Sequence, residues 1–245
     1  MKKLLVGVVL LMMAVLPASA GTVAEALSAP DRLAADLERD TRSRPDVVLS
    51  LLELSPGDRV ADIFAGSGYY SEIIGRVVSP GGEVLMHHNQ AYSGVVGEAL
   101  KARFEDRDLP GVTRHDREVE DLDLGEEALD AAMIIMSYHD LYHEDKGWPR
   151  MDVPAFMGQV VKALKPGGRF LLVDHAASRG SSIDTAQDIH RIDEAFVIKD
   201  VEGFGLKFTA SSDALRNPDD DHSLHVFDPA IRGKTDRFIL VFEKP

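Results

Sequence analysis

Apolar and polar positions along the chain switch between two rhythms. Short apolar runs of strand length occur at Arg59–Phe64, Glu83–His87, Gly111–His115, Leu129–Met136, Phe170–Val173, Phe204–Ser211 and Arg237–Phe242. Between them, apolar residues recur at helical spacing over Tyr69–Val78, Gly94–Phe104, Val153–Leu164 and Thr185–Lys199. In the helix over 94–104, Val95, Val96, Ala99 and Leu100 are expected to face inward. Leu129–Met136 is almost continuously apolar, which suits a central parallel strand covered on both faces. Upstream, Thr22–Arg42 reads as helical, with Val23, Leu27, Leu33 and Leu37 as its apolar face and Pro30 as an interruption. Pro45 opens a shorter helix, Asp46–Leu54, which Ser55-Pro56-Gly57-Asp58 ends. Strands alternating with helices predict an α/β fold, a doubly wound sheet with helices on both faces.

The first twenty residues follow neither rhythm. Lys2-Lys3 precedes the apolar run Leu4–Leu16 and then Pro17-Ala18-Ser19-Ala20. A basic start, a short apolar stretch and a small-residue exit predict a cleavable signal peptide over 1–20. The run is short of the roughly 20 residues that span a bilayer, so no stable membrane insertion is expected after cleavage. The expected mature chain is one domain, 21–245, periplasmic or secreted. Its 245-residue precursor contains no cysteine, so neither a disulfide framework nor a thiolate metal site is available. Loss of Lys2 and Lys3 takes the formal charge from −14 to −16, which disfavours nucleic acid as a partner.

The first apolar run ends in Asp62-Ile63-Phe64-Ala65-Gly66-Ser67-Gly68-Tyr69 and passes directly into a helix. Glycines at a strand-to-helix turn let a ligand approach the backbone, and the first helical amides favour a negative group. Farther on, Leu164-Lys165-Pro166-Gly167-Gly168 precedes another apolar strand. With the order of elements, these two segments resemble the class I S-adenosylmethionine-dependent methyltransferases, from about Pro45 to Pro245. That resemblance implies a Rossmann-like sheet of seven strands, mostly parallel with an antiparallel last strand, and S-adenosylmethionine as cofactor. It also implies cofactor binding by Asp62, Ala65, Gly66, Ser67, Gly68 and Tyr69. Phe64 stands where the family has its first glycine. The second strand ends in His87-His88-Asn89-Gln90, without the acid that takes the ribose hydroxyls in the family, so His88 and Asn89 are carried over there. Glu118 and Val119 fall at the adenine segment, and Met136 and Ser137 at the end of strand four.

Candidate chemistry gathers at two strand ends. Strand four delivers Ser137-Tyr138-His139-Asp140-Leu141-Tyr142-His143, and strand five delivers Asp174-His175. Ligands of open α/β sheets bind at the carboxyl ends of the strands. Methyl transfer from a sulfonium needs positioning and, for oxygen or nitrogen nucleophiles, a proton acceptor. His139 is expected as the base, Asp140 or Asp174 as its orienting acid, with His175 nearby and Tyr138 lining the cleft. The polar segments over 215–222 and 228–234 are expected to form a solvated loop.

The sequence therefore predicts a methyltransferase acting on a small molecule by O- or N-methylation. The alternative is a methyltransferase-like binding protein for another small ligand or a metal ion. His139 and His143 lie one helical turn apart, and His175 or His190 with Asp140 would complete such a metal set, although no residue is assigned as a ligand. A nicotinamide dehydrogenase fits poorly, because the loop lacks the last glycine of G-x-G-x-x-G.

Overall fold

The computed structural model describes residues 21–245; the expected signal peptide, 1–20, lies outside the described residues. Three helices come first: α1 (Val23–Leu27), α2 (Ala34–Ser43) and α3 (Pro45–Ser50). The alternating core follows as β1 (Arg59–Ile63), α4 (Tyr69–Val78), β2 (Glu83–His88), α5 (Gln90–Phe104), β3 (Val112–Asp116) and β4 (Leu129–Ile135). A 3-10 turn at His139–Tyr142 leads to α6 (Val153–Ala163), β5 (Leu164–His175), α7 (Asp184–Ile189) and α8 (Glu194–Gly203). The strands β6 (Lys207–Ser212) and β7 (Arg237–Glu243) close the chain.

The seven strands form one sheet in the order β3-β2-β1-β4-β5-β7-β6. Neighbours from β3 to β5 pair parallel, and β7 runs antiparallel to both β5 and β6. Side chains alternate across a strand, and each central strand is apolar on both faces. Ala61, Ile63, Ala132, Ile134, Phe170 and Leu172 pack on one side with Phe156, Met157 and Val160 of α6 and Val197 of α8. Val60, Met133, Leu171 and Val173 pack on the other with Ile73, Ile74 and Val77 of α4 and Val48 and Leu49 of α3. The strand order reverses between the parallel neighbours β1 and β4, which opens a crevice at their carboxyl ends.

Three expectations are corrected. The stretch 22–42 forms two helices, and α2 docks by charge rather than by its leucines. Leu37 is 51% exposed while Asp36 is buried. Asp36 accepts two bonds from Arg103 at 2.7 and 2.9 Å, and Asp40 pairs with Arg32 at 2.6 Å. Helix α5 starts at Gln90, four residues early, because Asn89 caps it by accepting from the Tyr92 amide at 2.8 Å. Of its expected inward residues only Leu100 is buried; Val95 is 84% exposed. The stretch 185–199 breaks at His190, which adopts a left-handed conformation (φ 55°) between α7 and α8.

Candidate functional site

The site is built first by the β1–α4 turn. Phe64 (φ 54°), Gly66 (φ 59°) and Gly68 (φ 75°) all take the left-handed conformation there. The two glycines serve different ends. A Cβ on Gly68 would lie 2.7 Å from Met86 Sδ and 3.0 Å from Arg103 Cδ, so close packing behind the loop demands glycine. A Cβ on Gly66 would meet nothing within 4 Å, since this residue borders open cleft. Arg103, from α5, clamps the loop from behind by donating to the Ser67 carbonyl, Asp36 and Glu72.

Phe64 tolerates its backbone because its ring is anchored. It is 2% exposed, stacks on Phe156 at a centroid distance of 5.9 Å, and meets Trp148 at 5.4 Å and Tyr92 at 5.6 Å. Its ring therefore belongs to the core edge beneath the cleft. His87 holds the same turn: Nε2 bonds to the Arg117 carbonyl at 3.0 Å and Nδ1 accepts from the Phe64 amide at 3.4 Å. Burial pushes His87 down to about 4, so it is neutral and structural.

The crevice is a cleft of about 350 Å³ lined by Arg39, Asp62, Phe64, Gly66, Tyr69, Tyr92, Met136, His139, Asp140, His175, His190 and Phe227, among others. A roomier groove of about 610 Å³ around Leu141, Ile183 and Phe204 does not reach the glycine loop. Asp62 is buried and accepts from Ser71 Oγ at 2.5 Å; burial pushes its carboxyl up to about 6. Arg39 lies 4.2 Å above the Tyr69 ring and has no carboxylate partner among the described residues. Its Nε donates to Ser43 Oγ at 3.2 Å, and the guanidinium borders the cleft. Nothing in the pattern of residues points to it, since that pattern does not show that α2 turns its polar face inward.

Of the residues carried over for the cofactor, Asp62, Ala65, Gly66, Tyr69 and Met136 line the cleft. The others sit beside or behind it. Gly68 and Ser67 are packed on Arg103. His88 Nε2 bonds to the Gly66 carbonyl at 2.8 Å, Asn89 caps α5, and Ser137 shares a 3.2 Å hydrogen bond with the Tyr92 hydroxyl. Glu118 accepts from the Gln90 amide at 3.1 Å, and Val119 packs against the core. One atom on this side is unmatched: His88 Nδ1 is buried without a hydrogen-bond partner among the described residues.

At the ends of β4 and β5, Asp174 fixes His139 twice. Its Oδ2 accepts from the His139 amide at 2.8 Å, and its Oδ1 lies 2.7 Å from Nδ1. Nε2 faces Asp140 Oδ1 at 3.2 Å and His190 Nδ1 at 3.1 Å. Burial works against a charge on His139, yet Asp174 and Asp140 together push it up to about 10. The two carboxylates thus favour the charged form of His139, which weighs against a free base at this position. Asp140, despite its burial, is held well below the usual carboxylate range by His139 and His190. His175 is pushed down to about 3 by burial, against the pull of Asp174, and bonds Thr235 Oγ1 at 2.7 Å.

Tyr138 does not line the cleft. It is fully buried and donates to Asp200 Oδ2 at 2.6 Å on the α8 side, because the 3-10 turn rotates it away from its neighbour His139. The loop over 213–236 is not simply solvated either. Arg191, fully buried, closes on Asp220 at 2.9 and 3.0 Å, and His222 bonds Asp236 at 3.0 Å. These pairs seat the loop so that Val226 and Phe227 border the cleft.

No family model matches the chain. It is 25% identical over 143 residues to a ubiquinone/menaquinone biosynthesis C-methyltransferase of Pseudomonas paraeruginosa, covering 58% of this chain and 51% of that protein. It is 49% identical over 47 residues to a protein-L-isoaspartate O-methyltransferase of Aeropyrum pernix, 18% of either chain. The chain thus spans about half the length of the first relative and much less of the second. Among solved structures, a SAM-dependent methyltransferase from Aquifex aeolicus superposes with a TM-score of 0.59 at 15% identity, over 91% of this chain and 98% of that one. A Haemonchus contortus phosphoethanolamine N-methyltransferase in complex with S-adenosyl-L-methionine superposes with a TM-score of 0.58 at 12% identity, over 93% and 61%. With the strand order and the glycine turn described above, these likenesses show that the chain has the class I S-adenosylmethionine-dependent methyltransferase fold.

Proposed function

We propose that the protein is an S-adenosylmethionine-dependent methyltransferase acting on a small molecule by O- or N-methylation. The observation that carries this reading is the meeting of the glycine turn, Asp62 and Arg39 with the His139 cluster in one cleft at the sheet's reversal point. The residues fit the cofactor. Gly66 leaves room at the backbone, and Asp62 is an acceptor beside it. Arg39 supplies an unpaired cation for the amino-acid carboxylate. His88 Nδ1 is an unmatched acceptor where the family places an acid for the ribose.

When bound, the cofactor supplies an activated methyl group on sulfur. The protein's part is to orient the acceptor for in-line approach and exclude water. Asp174 holds the His139 ring so that Nε2 meets Asp140 and His190 at the cleft wall, where the acceptor would be oriented. Val226 and Phe227 cover the cleft from the loop side. Excess S-adenosylhomocysteine, at about 100 times its Kd, is expected to stabilise the fold by about 2.7 kcal/mol. No thermal shift under these conditions would contradict the reading.

A second reading, a binding protein without turnover, is favoured by one observation: no carboxylate ends β2, and the Asn89 amide oxygen is occupied by its capping bond. It predicts that the same titration gives no shift. Export is also proposed, supported by the basic start and the apolar run of the first twenty residues. An intact mass beginning at Gly21 for the cell-derived protein checks it, and a retained Met1 contradicts it.

A further inference from the structure

We propose that His139, Asp140 and His190 bind a divalent first-row transition cation such as zinc, with Asp174 orienting His139. Three ligand atoms converge: His139 Nε2, Asp140 Oδ1 and His190 Nδ1, one from each residue. They lie 3.1, 3.2 and 3.4 Å apart. A tetrahedral ion with metal–ligand distances of about 2.0–2.1 Å spaces its ligand atoms about 3.3–3.4 Å apart. The observed triangle is therefore the right size to receive one ion about 2 Å from every corner.

The surroundings fix the ligand atoms. Asp174 accepts at His139 Nδ1, at 2.7 Å, so that nitrogen carries the proton and Nε2 offers its lone pair once it is free of one. This carboxylate–histidine arrangement is the usual support of a metal-bound imidazole. Two imidazoles with a single carboxylate oxygen favour a zinc-like ion over calcium or magnesium, which prefer all-oxygen sets. His190 reaches the triangle because the chain breaks there, its left-handed turn separating α7 from α8. Beside it, the His143 ring lies 4.4 Å away, and His143 Nδ1 is buried with no partner among the described residues.

Three protein ligands leave a coordination position open, as in catalytic rather than structural zinc sites. All three residues line the cleft, so the open position faces the space for the methyl acceptor. An acceptor that carries a lone-pair donor atom, such as a hydroxyl oxygen or an amine nitrogen, fits that position. That part of the inference rests on the methyltransferase reading; metal binding does not.

The test is calorimetric titration of zinc chloride into the chelator-stripped protein without cofactor, followed by absorption spectroscopy of the cobalt(II) form. One ion per chain and visible ligand-field bands typical of four or five coordination are expected. His190→Asn and Asp140→Asn should each lower zinc affinity at least about 100-fold, and Asp174→Asn about 10–100-fold. His115→Gln, on the edge strand β3 away from the cleft, should leave it unchanged. Far-UV circular dichroism verifies the fold of every variant, and if one ligand variant unfolds the other decides. Substoichiometric uptake, a cobalt spectrum of octahedral aquo character, or unchanged affinity in a folded ligand variant overturns the site. None of these outcomes bears on cofactor binding, which is measured separately.

Discussion

Ser71, in the first turn of α4, donates its hydroxyl to Asp62 Oδ2 at 2.5 Å, tying the end of β1 to the helix that follows the glycine turn. Burial raises the Asp62 carboxyl to about 6, with the Ser71 bond and the Arg39 charge acting the other way. A raised folded-state value means that the folded protein holds this proton more tightly than the unfolded chain does. Its contribution is complete below the unfolded value of about 3.9 and is lost as pH rises through about 6. Ionised Asp62 therefore weighs against the fold at neutral pH. Asp62→Asn is expected to raise unfolding stability at pH 8 by about 1–3 kcal/mol, with little change at pH 4. Urea melts at the two pH values check this; an Asn variant less stable at pH 8 contradicts it.

Arg103 is the buried clamp of the glycine turn, shared by Asp36, Glu72 and the Ser67 carbonyl. Removing one partner of a buried ion network leaves uncompensated charge, at a cost of about 3–5 kcal/mol. Arg103→Met should be destabilised by that amount, and Arg103→Lys should recover only part, because one ammonium cannot serve a forked set of acceptors. Thermal unfolding of the pair measures both. A lysine variant as stable as the parent would show that charge alone, without the fork, secures the turn.

Phe64 inverts an ordinary rule. Truncation to alanine loses the aromatic packing, about 3–5 kcal/mol, and keeps a side chain at φ 54°. Glycine loses the same packing and relieves the backbone by about 1 kcal/mol. Phe64→Gly should thus be more stable than Phe64→Ala, the reverse of the order in regular structure. Equal or opposite stabilities would mean that the turn relaxes once the ring is gone.

Arg39 offers the cleft an unpaired guanidinium held over Tyr69. A charge-assisted hydrogen bond to a ligand carboxylate contributes about 1.5–3 kcal/mol, so Arg39→Gln should weaken S-adenosylhomocysteine binding about 10–100-fold. Decarboxylated S-adenosylmethionine should be indifferent to the same change. If both ligands weaken alike, Arg39 shapes the cleft without binding the carboxylate.

Much of the frame was legible because it rests on local rules. The near-continuous apolar run at 129–136 suits a covered central strand, and the glycines after Asp62 favour a turn. The seven-stranded, mostly parallel sheet was implied by the family resemblance that those elements carry. What stayed hidden depends on pairings across the chain. Helix α2 reads as amphipathic through Leu33 and Leu37, yet Asp36 and Asp40 turn inward because Arg103 and Arg32 await them. The break at His190 has no proline or glycine to announce it. It follows from Asp193 starting a new helix by accepting from the Ala195 amide and from Arg191 closing on Asp220, 29 residues away. The histidines were visible as a cluster. Which of them converge was set by that break, so His190 joins His139 and Asp140 while His175 turns to Thr235.

The central claim is tested most directly by calorimetric titration of S-adenosylmethionine and S-adenosylhomocysteine into the purified protein, with and without chelator. Micromolar binding of both is predicted. Gly66→Val, which would force a side chain into a left-handed turn and into the cleft, should lower the affinity at least 10-fold, or about 1.4 kcal/mol. Absence of heat with either ligand in the folded parent protein, with or without chelator, would contradict the account and leave the binding-protein reading in its place.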